Sequence, residues 1–173
     1  MQRFTTLESI AVPMPQPNID TDQIIPARFL QKPRKGGFGQ YLFHDLAEDP
    51  GFILNQPAYR DAQVLVAGKN FGCGSSRENA VWALFDYGFR VVIAPSFGDI
   101  FFNNCLKNGL LPIVLDTPLG EKVKVDLESQ TVNGHHFEID PFAKHCLLNG
   151  IDELDYTLSL MKEITAFEQE SDQ

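Results

Sequence analysis

The sequence predicts an α/β domain organised on a strand–helix–strand–helix–strand unit, and three observations carry that prediction. Val64-Leu65-Val66-Ala67, Val91-Val92-Ile93-Ala94 and Leu111-Pro112-Ile113-Val114-Leu115 are short apolar runs of the buried-strand type. Between them, Glu78 to Tyr87 and Phe97 to Lys107 place apolar residues at helical spacing: Ala80, Val81, Leu84 and Tyr87 in the first, Phe97, Ile100, Phe101 and Cys105 in the second. Both segments close on helix stops, Gly88 and Asn108-Gly109. Three strands separated by two helices imply right-handed βαβαβ crossovers. At 173 residues, 43% hydrophobic and 21% charged, the chain predicts one globular domain with a substantial core.

The rest of the chain is read in order. Residues 4–12 mix β-branched and polar residues, the pattern of an edge strand, before Pro13, Pro15 and Pro17 break regular structure. Asp20-Thr21-Asp22 follows. It reads either as a turn whose carboxylates accept local N–H bonds or as a carboxylate held near a reacting hydroxyl or an arginine. Residues 31–40, Gln-Lys-Pro-Arg-Lys-Gly-Gly-Phe-Gly-Gln, make a basic, glycine-rich loop with few apolar anchors. It is expected to be mobile, as a solvated linker or as a loop that closes on an anion. Residues 41–60 scatter aromatics around a Pro50-Gly51 turn. Lys122 to Leu127 then alternates apolar and polar, and Thr131-Val132 with His135 to Ile139 makes a hairpin about Asn133-Gly134. A helix opens at Asp140-Pro141 and closes at Asn149-Gly150. The last helix starts at Asp152 with Leu154, Leu158, Met161 and Ile164 on one face, and the acidic tail from Glu168 to Gln173 is expected to fray.

Composition excludes several function classes. A net charge of −9 argues against nucleic acid as a partner. No apolar run reaches membrane-spanning length, and Met1-Gln2-Arg3-Phe4 lacks a signal-peptide core, so a cytoplasmic location is expected. Cys73, Cys105 and Cys146 are widely spaced and odd in number, which suggests no disulfide framework. Three thiolates suffice for an iron–sulfur cluster with one open iron, but Cys105 and Cys146 fall in apolar helical patterns where free cysteine serves as a small core residue. His135, His136 and His145 show no metal-pair spacing, so no metal site is predicted.

The stretch from Gly68 to Glu78 carries the chemistry. It is a strand end, a glycine-rich turn and a helix start, holding Gly72, Cys73, Gly74, Ser75, Ser76 and Arg77 in succession. Gly72 and Gly74 permit positive φ, so backbone N–H groups can converge, and the helix start adds free N–H groups and partial positive charge. Ser75 or Ser76 is then either the helix N-cap or a reactive hydroxyl beside a bound anion.

Three segments together resemble a known family. Asn18-Ile19-Asp20-Thr21-Asp22-Gln23-Ile24-Ile25-Pro26, Gly72 to Glu78, and Ser96-Phe97-Gly98-Asp99-Ile100-Phe101 with Asn108-Gly109-Leu110-Leu111-Pro112 are similar to the small subunits of 3-isopropylmalate dehydratases, relatives of the swivel domain of aconitase. The likeness extends to Ile139 to Phe142 and Lys144 to Gly150, nearly the whole chain. It implies a single three-layer β/β/α swivelling domain over residues 1–173 and a two-subunit hydro-lyase of leucine biosynthesis, inactive as this chain alone. It further implies a small dicarboxylate substrate and a large-subunit partner that carries the [4Fe–4S] cluster. By motif, Ser75 matches the serine that acts as base on the substrate carbon, and Ser76, Arg77 and Asp22 match substrate-binding positions. Arg34 falls near a carboxylate-binding arginine of aconitase, and Phe29, Leu30, Gln31 and Lys32 correspond to the segment that sets side-chain specificity. Related dehydratases acting on homoaconitate or methyl-substituted malates share these features. A covalent Cys73 or Ser75 hydrolase and a non-enzymatic anion-binding module are the competing classes.

Overall fold

The computed structural model describes residues 1–171. Seven strands form one curled sheet: β1 (Thr6–Met14), β2 (Val64–Ala67), β3 (Val91–Ala94), β4 (Leu111–Val114), β5 (Lys122–Asp126), β6 (Thr131–Val132) and β7 (His135–His136), in the order β4-β3-β2-β1-β5-β6-β7. The helices are α1 (Thr21–Ile24), α2 (Glu78–Tyr87), α3 (Asp99–Lys107), α4 (Pro141–Asn149) and α5 (Glu153–Ser171). The βαβαβ unit is β2-α2-β3-α3-β4, with all adjacent strands parallel.

Strand β1 corrects the edge-strand expectation, because it lies mid-sheet and joins two halves. Its first half, Thr6–Ile10, pairs antiparallel with β5, and its second, Ala11–Met14, pairs parallel with β2. Pro13 is tolerated because at that point the strand has a ladder neighbour on one side only.

Side-chain alternation separates two cores. Val12, Met14, Leu65, Ala67, Val92 and Ala94 face Ala80, Val81, Leu84, Phe101 and Cys105 of the helices. Ala11, Val64, Val91, Ile93, Leu111 and Ile113 face Val123, Val125, Val132, Phe137 and Leu147. Helices, parallel strands and the curled antiparallel strands therefore stack as three layers, as the family resemblance implies.

Some local expectations change. α3 buries Phe101 and Cys105 as its spacing predicts, but Ile100, expected on the same face, is 55% exposed. The 31–40 loop has an anchor after all: Phe38 is 1% exposed, its N–H donates to the Asp86 carboxylate, and Arg34 pairs with the same carboxylate. Gln31 to Gly36 remain exposed. Glu168 to Ser171 are the last residues of α5, and the last two residues of the expected tail lie outside the described residues. The apolar stripe of α5 faces outward, with no buried side chain on the helix; it touches the body through Tyr156, whose ring meets Phe142 edge-on at 4.9 Å. Among the described residues no helix is long and apolar enough to cross a membrane.

Candidate functional site

The carboxyl ends of β1, β2 and β3 lead into three loops that meet in one cleft of about 290 Å³, lined by Thr21, Gly72 to Arg77, and Gly98 to Phe101. The loops are joined by backbone. Asp20 bridges to Cys73 and Phe71 to Phe97 beyond the strand ends, the Gly72 N–H donates to the Ile19 carbonyl, and the Gly98 N–H donates to the Phe71 carbonyl.

Gly72 is forced by space. Its φ is +75°, and a Cβ there would lie 2.2 Å from Phe101 Cγ. Gly74, at φ +92°, takes a left-handed conformation that a residue bearing a Cβ would disfavour. Helix α2 begins at Glu78 with Arg77 as its N-cap, and no side chain caps it. Ser75 and Ser76 therefore are not the cap. Both are exposed at the cleft, and the backbone N–H groups of Gly74, Ser75, Ser76 and Arg77 find no acceptor among the described residues. A free hydroxyl thus sits among unused donors at the positive end of a ten-residue helix.

Arg77 is held, not loose. Its Nη1 donates to Asp22 Oδ1 at 2.9 Å and to the Ile25 carbonyl at 3.3 Å, and its side chain is 17% exposed. The Nε–Nη2 edge has no partner among the described residues, and that edge is the fork that grips a carboxylate through two parallel bonds. The Arg77 hydrogen bond, helped by the Ala27 N–H, lowers the Asp22 carboxyl below its usual range, so it is ionised at neutral pH.

The predicted residues divide accordingly. Asp22, Gly72, Gly74, Ser75, Ser76 and Arg77 come together, with Asp22 spending its carboxylate on Arg77. Arg34 is not brought to the cleft in this conformation. It lies against Trp82, 4.8 Å from the ring, and pairs with Asp86, which sits about 12 Å along α2 from its first residue. Phe29 stacks on Tyr41 at 4.5 Å, Leu30 is half-buried, and Gln31 and Lys32 are exposed. The carbonyl of Ile25 and the Phe101 ring beneath Gly72 were missed by sequence reasoning. Main-chain acceptors leave no trace in composition, and a glycine's neighbour is set by tertiary contact.

The thiols do not fit an iron–sulfur cluster. Cys105 is buried between sheet and helices, Cys146 is buried on α4, Cys73 lines the cleft, and the three do not converge. The His44, Asp45 and Glu48 group is at the surface, with Asp45 already bound by Arg28.

Comparison with known proteins shows the family and the fold. The model of the aconitase C-terminal domain matches residues 1–118. The chain is 54% identical to the 3-isopropylmalate dehydratase small subunit of Jannaschia sp. (strain CCS1), over 100% of this chain and 98% of that one. It is 48% identical to the small subunit of Leptospira interrogans, over 98% and 94%. A crystal structure of 3-isopropylmalate dehydratase from Methanocaldococcus jannaschii superposes with a TM-score of 0.72 at 28% identity, covering 94% of this chain and 99% of that one. Shared fold, near-complete coverage of curated relatives and the glycine–serine–arginine turn lead to one conclusion: the chain belongs to the family of 3-isopropylmalate dehydratase small subunits.

Proposed function

We propose that this chain is the small subunit of a 3-isopropylmalate dehydratase, the hydro-lyase that interconverts 2-isopropylmalate and 3-isopropylmalate by dehydration and rehydration in leucine biosynthesis. The observation that carries the reading is the free Nε–Nη2 fork of Arg77 beside unused N–H groups and the Ser75 hydroxyl. A dicarboxylate suits this set, because one carboxylate can take the fork while the reacting carbon is presented to Ser75. Ser75 accepts the proton from that carbon. A serine is a usable base only where its alkoxide is favoured, and the N–H groups of the turn, the start of α2 and Arg77 supply that preference. Ser76 contributes its N–H and hydroxyl to the same anion. Asp22 keeps Arg77 aimed.

The large subunit completes the enzyme in the cytoplasm and carries the [4Fe–4S] cluster, a division of labour that the family resemblance supports. Phe29 to Lys32 border the substrate side chain. Arg34 joins the substrate only after the 31–40 loop releases Asp86, so its role requires a closed state of the assembled enzyme.

The test is Ser75→Ala in the reconstituted two-subunit enzyme, assayed on 3-isopropylmalate. Ser75 makes no capping bond, so folding and subunit association stay unchanged, while kcat falls about 10²-fold or more with little change in KM. Near-normal turnover in that variant would remove Ser75 from the base role.

A further inference from the structure

We propose that Thr21 is the positioning residue of this site, the group that turns the two peptide planes whose N–H groups favour the Ser75 alkoxide. Thr21 is 2% exposed, and among the described residues it is the one buried polar side chain. It spends both donors on the turn. Its N–H donates to the Cys73 carbonyl at 3.0 Å and its hydroxyl donates to the Ser75 carbonyl at 2.8 Å.

Those bonds fix more than two oxygens. The peptides are all trans, and a planar trans peptide points its N–H opposite to its C=O. With the Cys73 carbonyl turned towards Thr21, the Gly74 N–H must face away from it. With the Ser75 carbonyl also turned towards Thr21, the Ser76 N–H faces away as well. Gly74, at φ +92°, lies between the two planes and lets both face the same side. One residue thus aligns the alternate N–H groups of an anion-binding turn, and those N–H groups have no other partner among the described residues. Thr21 also precedes Asp22, the residue that aims Arg77, so the segment that orients the guanidinium orients the peptides too.

The hydroxyl makes one bond, to the Ser75 carbonyl 54 residues further along the chain, while the Thr21 N–H takes the Cys73 carbonyl on the other side of Gly74. Loss of the hydroxyl frees the Ser75–Ser76 peptide to rotate, and an error of about 1 Å at a reacting group costs on the order of 10²-fold in rate.

The inference rests on the reading of this turn as the substrate site, and two measurements separate them. In the reconstituted enzyme, Thr21→Val keeps the shape and loses the donor, whereas Thr21→Ser keeps the donor and loses a methyl group. Thr21→Val is expected to lower kcat about 10- to 100-fold with KM changed less than about threefold, and Thr21→Ser to recover kcat to within about threefold of wild type. In the isolated ¹⁵N-labelled chain, the Ser76 amide resonance should move or broaden in Thr21→Val, while that of Gly74, whose peptide is held by the backbone N–H of residue 21, and those of Val81 and Leu84 hold. Thr21→Ser should restore the Ser76 resonance. An unmoved Ser76 amide in Thr21→Val, or equal losses in both variants, would overturn the positioning role. If instead the wild-type complex fails to turn over 3-isopropylmalate, the substrate reading falls while the amide resonances still decide Thr21.

Discussion

Gly72→Ala separates steric from conformational demands on the turn, with Gly74→Ala as its control. At Gly72 the added methyl would lie 2.2 Å from Phe101 Cγ and 2.4 Å from Cδ1, where carbon atoms prefer about 3.5–4.0 Å. The ring cannot simply step aside. Phe101 is 3% exposed, with Phe71 edge-on at 5.4 Å and Phe97 stacked at 6.4 Å. Overpacking of this kind costs about 1–3 kcal/mol, and positive φ for a residue bearing a Cβ adds about 1–2 kcal/mol. The stiffer unfolded chain of an alanine variant returns about 0.4–1 kcal/mol. The net loss is about 2–4 kcal/mol. At Gly74 the same methyl meets nothing nearer than Asp20 Cβ at 3.4 Å, so only the conformational cost applies, about 0.5–1.5 kcal/mol net. For a domain of this size 1 kcal/mol is about 2–4 °C in Tm, giving drops of roughly 4–16 °C and 1–6 °C. Urea and thermal unfolding of the isolated chain measure both. A Phe101→Leu change in the Gly72→Ala background should recover part of the loss, as a coupling in a double-mutant cycle. Equal destabilisation by the two alanines, with no such coupling, would refute the steric account.

Other outcomes follow from the same contacts. The Asp22 carboxyl titrates below its ordinary value of 3.8, so its contribution is complete above that value and is lost as pH falls through the depressed folded one. The excess KM of Asp22→Asn over wild type should therefore stay constant from roughly pH 5 to 8 in steady-state assays, and a deficit that titrates in that window would contradict the pairing. Burial pushes the Cys105 thiol well up, and burial, with nearby Glu153, Asp152 and Asp140, pushes Cys146 up. N-ethylmaleimide should therefore label half-exposed Cys73 first in the native chain and the buried pair only after denaturation, as peptide mass mapping would read. Asp86→Ala removes the acceptor shared by Arg34 and the Phe38 N–H, so hydrogen exchange at residues 34–38 should accelerate while the α2 core stays protected. Unchanged exchange there would show that burial of Phe38 alone holds the loop.

What was legible in the sequence was local. β2 and α2 occupy the residues their patterns predict, because a four-residue apolar run and a helical stripe closed by Gly88 are decided within one element. The turn between them was legible for the same reason, since glycines, serines and an arginine are contiguous there. Contacts that depend on distant partners were not. Nothing near Asp22 in sequence shows that Arg77, 55 residues on, takes its carboxylate. Nothing near Arg34 points to Asp86, and Phe38 reads as one aromatic in a glycine-rich loop until its burial is seen. Residues 4–12 looked like an edge because a strand that changes neighbours halfway carries the mixed pattern of two half-exposed segments.

The position of the site follows from the sheet rather than from any one side chain. Parallel strands β1, β2 and β3 all send their carboxyl ends to the same edge, and crevices outside those ends are where α/β sheets bind ligands. The Asp20–Cys73 and Phe71–Phe97 bridges carry the strand order β1-β2-β3 past the regular ladders into the loops themselves. The cleft is therefore walled by main chain held at ladder spacing, and the donors along it are backbone N–H groups whose directions follow that main chain and the Thr21 bonds that hold it. This makes the turn selective in what disables it. On the proposed function, loss of Ser75 removes the reacting group and loss of Arg77 the gripping group. Changes at Gly72 or Thr21 instead act on the frame, through sterics at Phe101 in one case and through the Ser75 carbonyl in the other. Loss of Ser75 should alter kinetics at constant stability, whereas loss of Arg77 also removes its bonds to Asp22 and the Ile25 carbonyl. Gly72→Ala should alter stability above all, and Thr21→Val should alter kcat through geometry that the hydroxyl of Thr21→Ser restores.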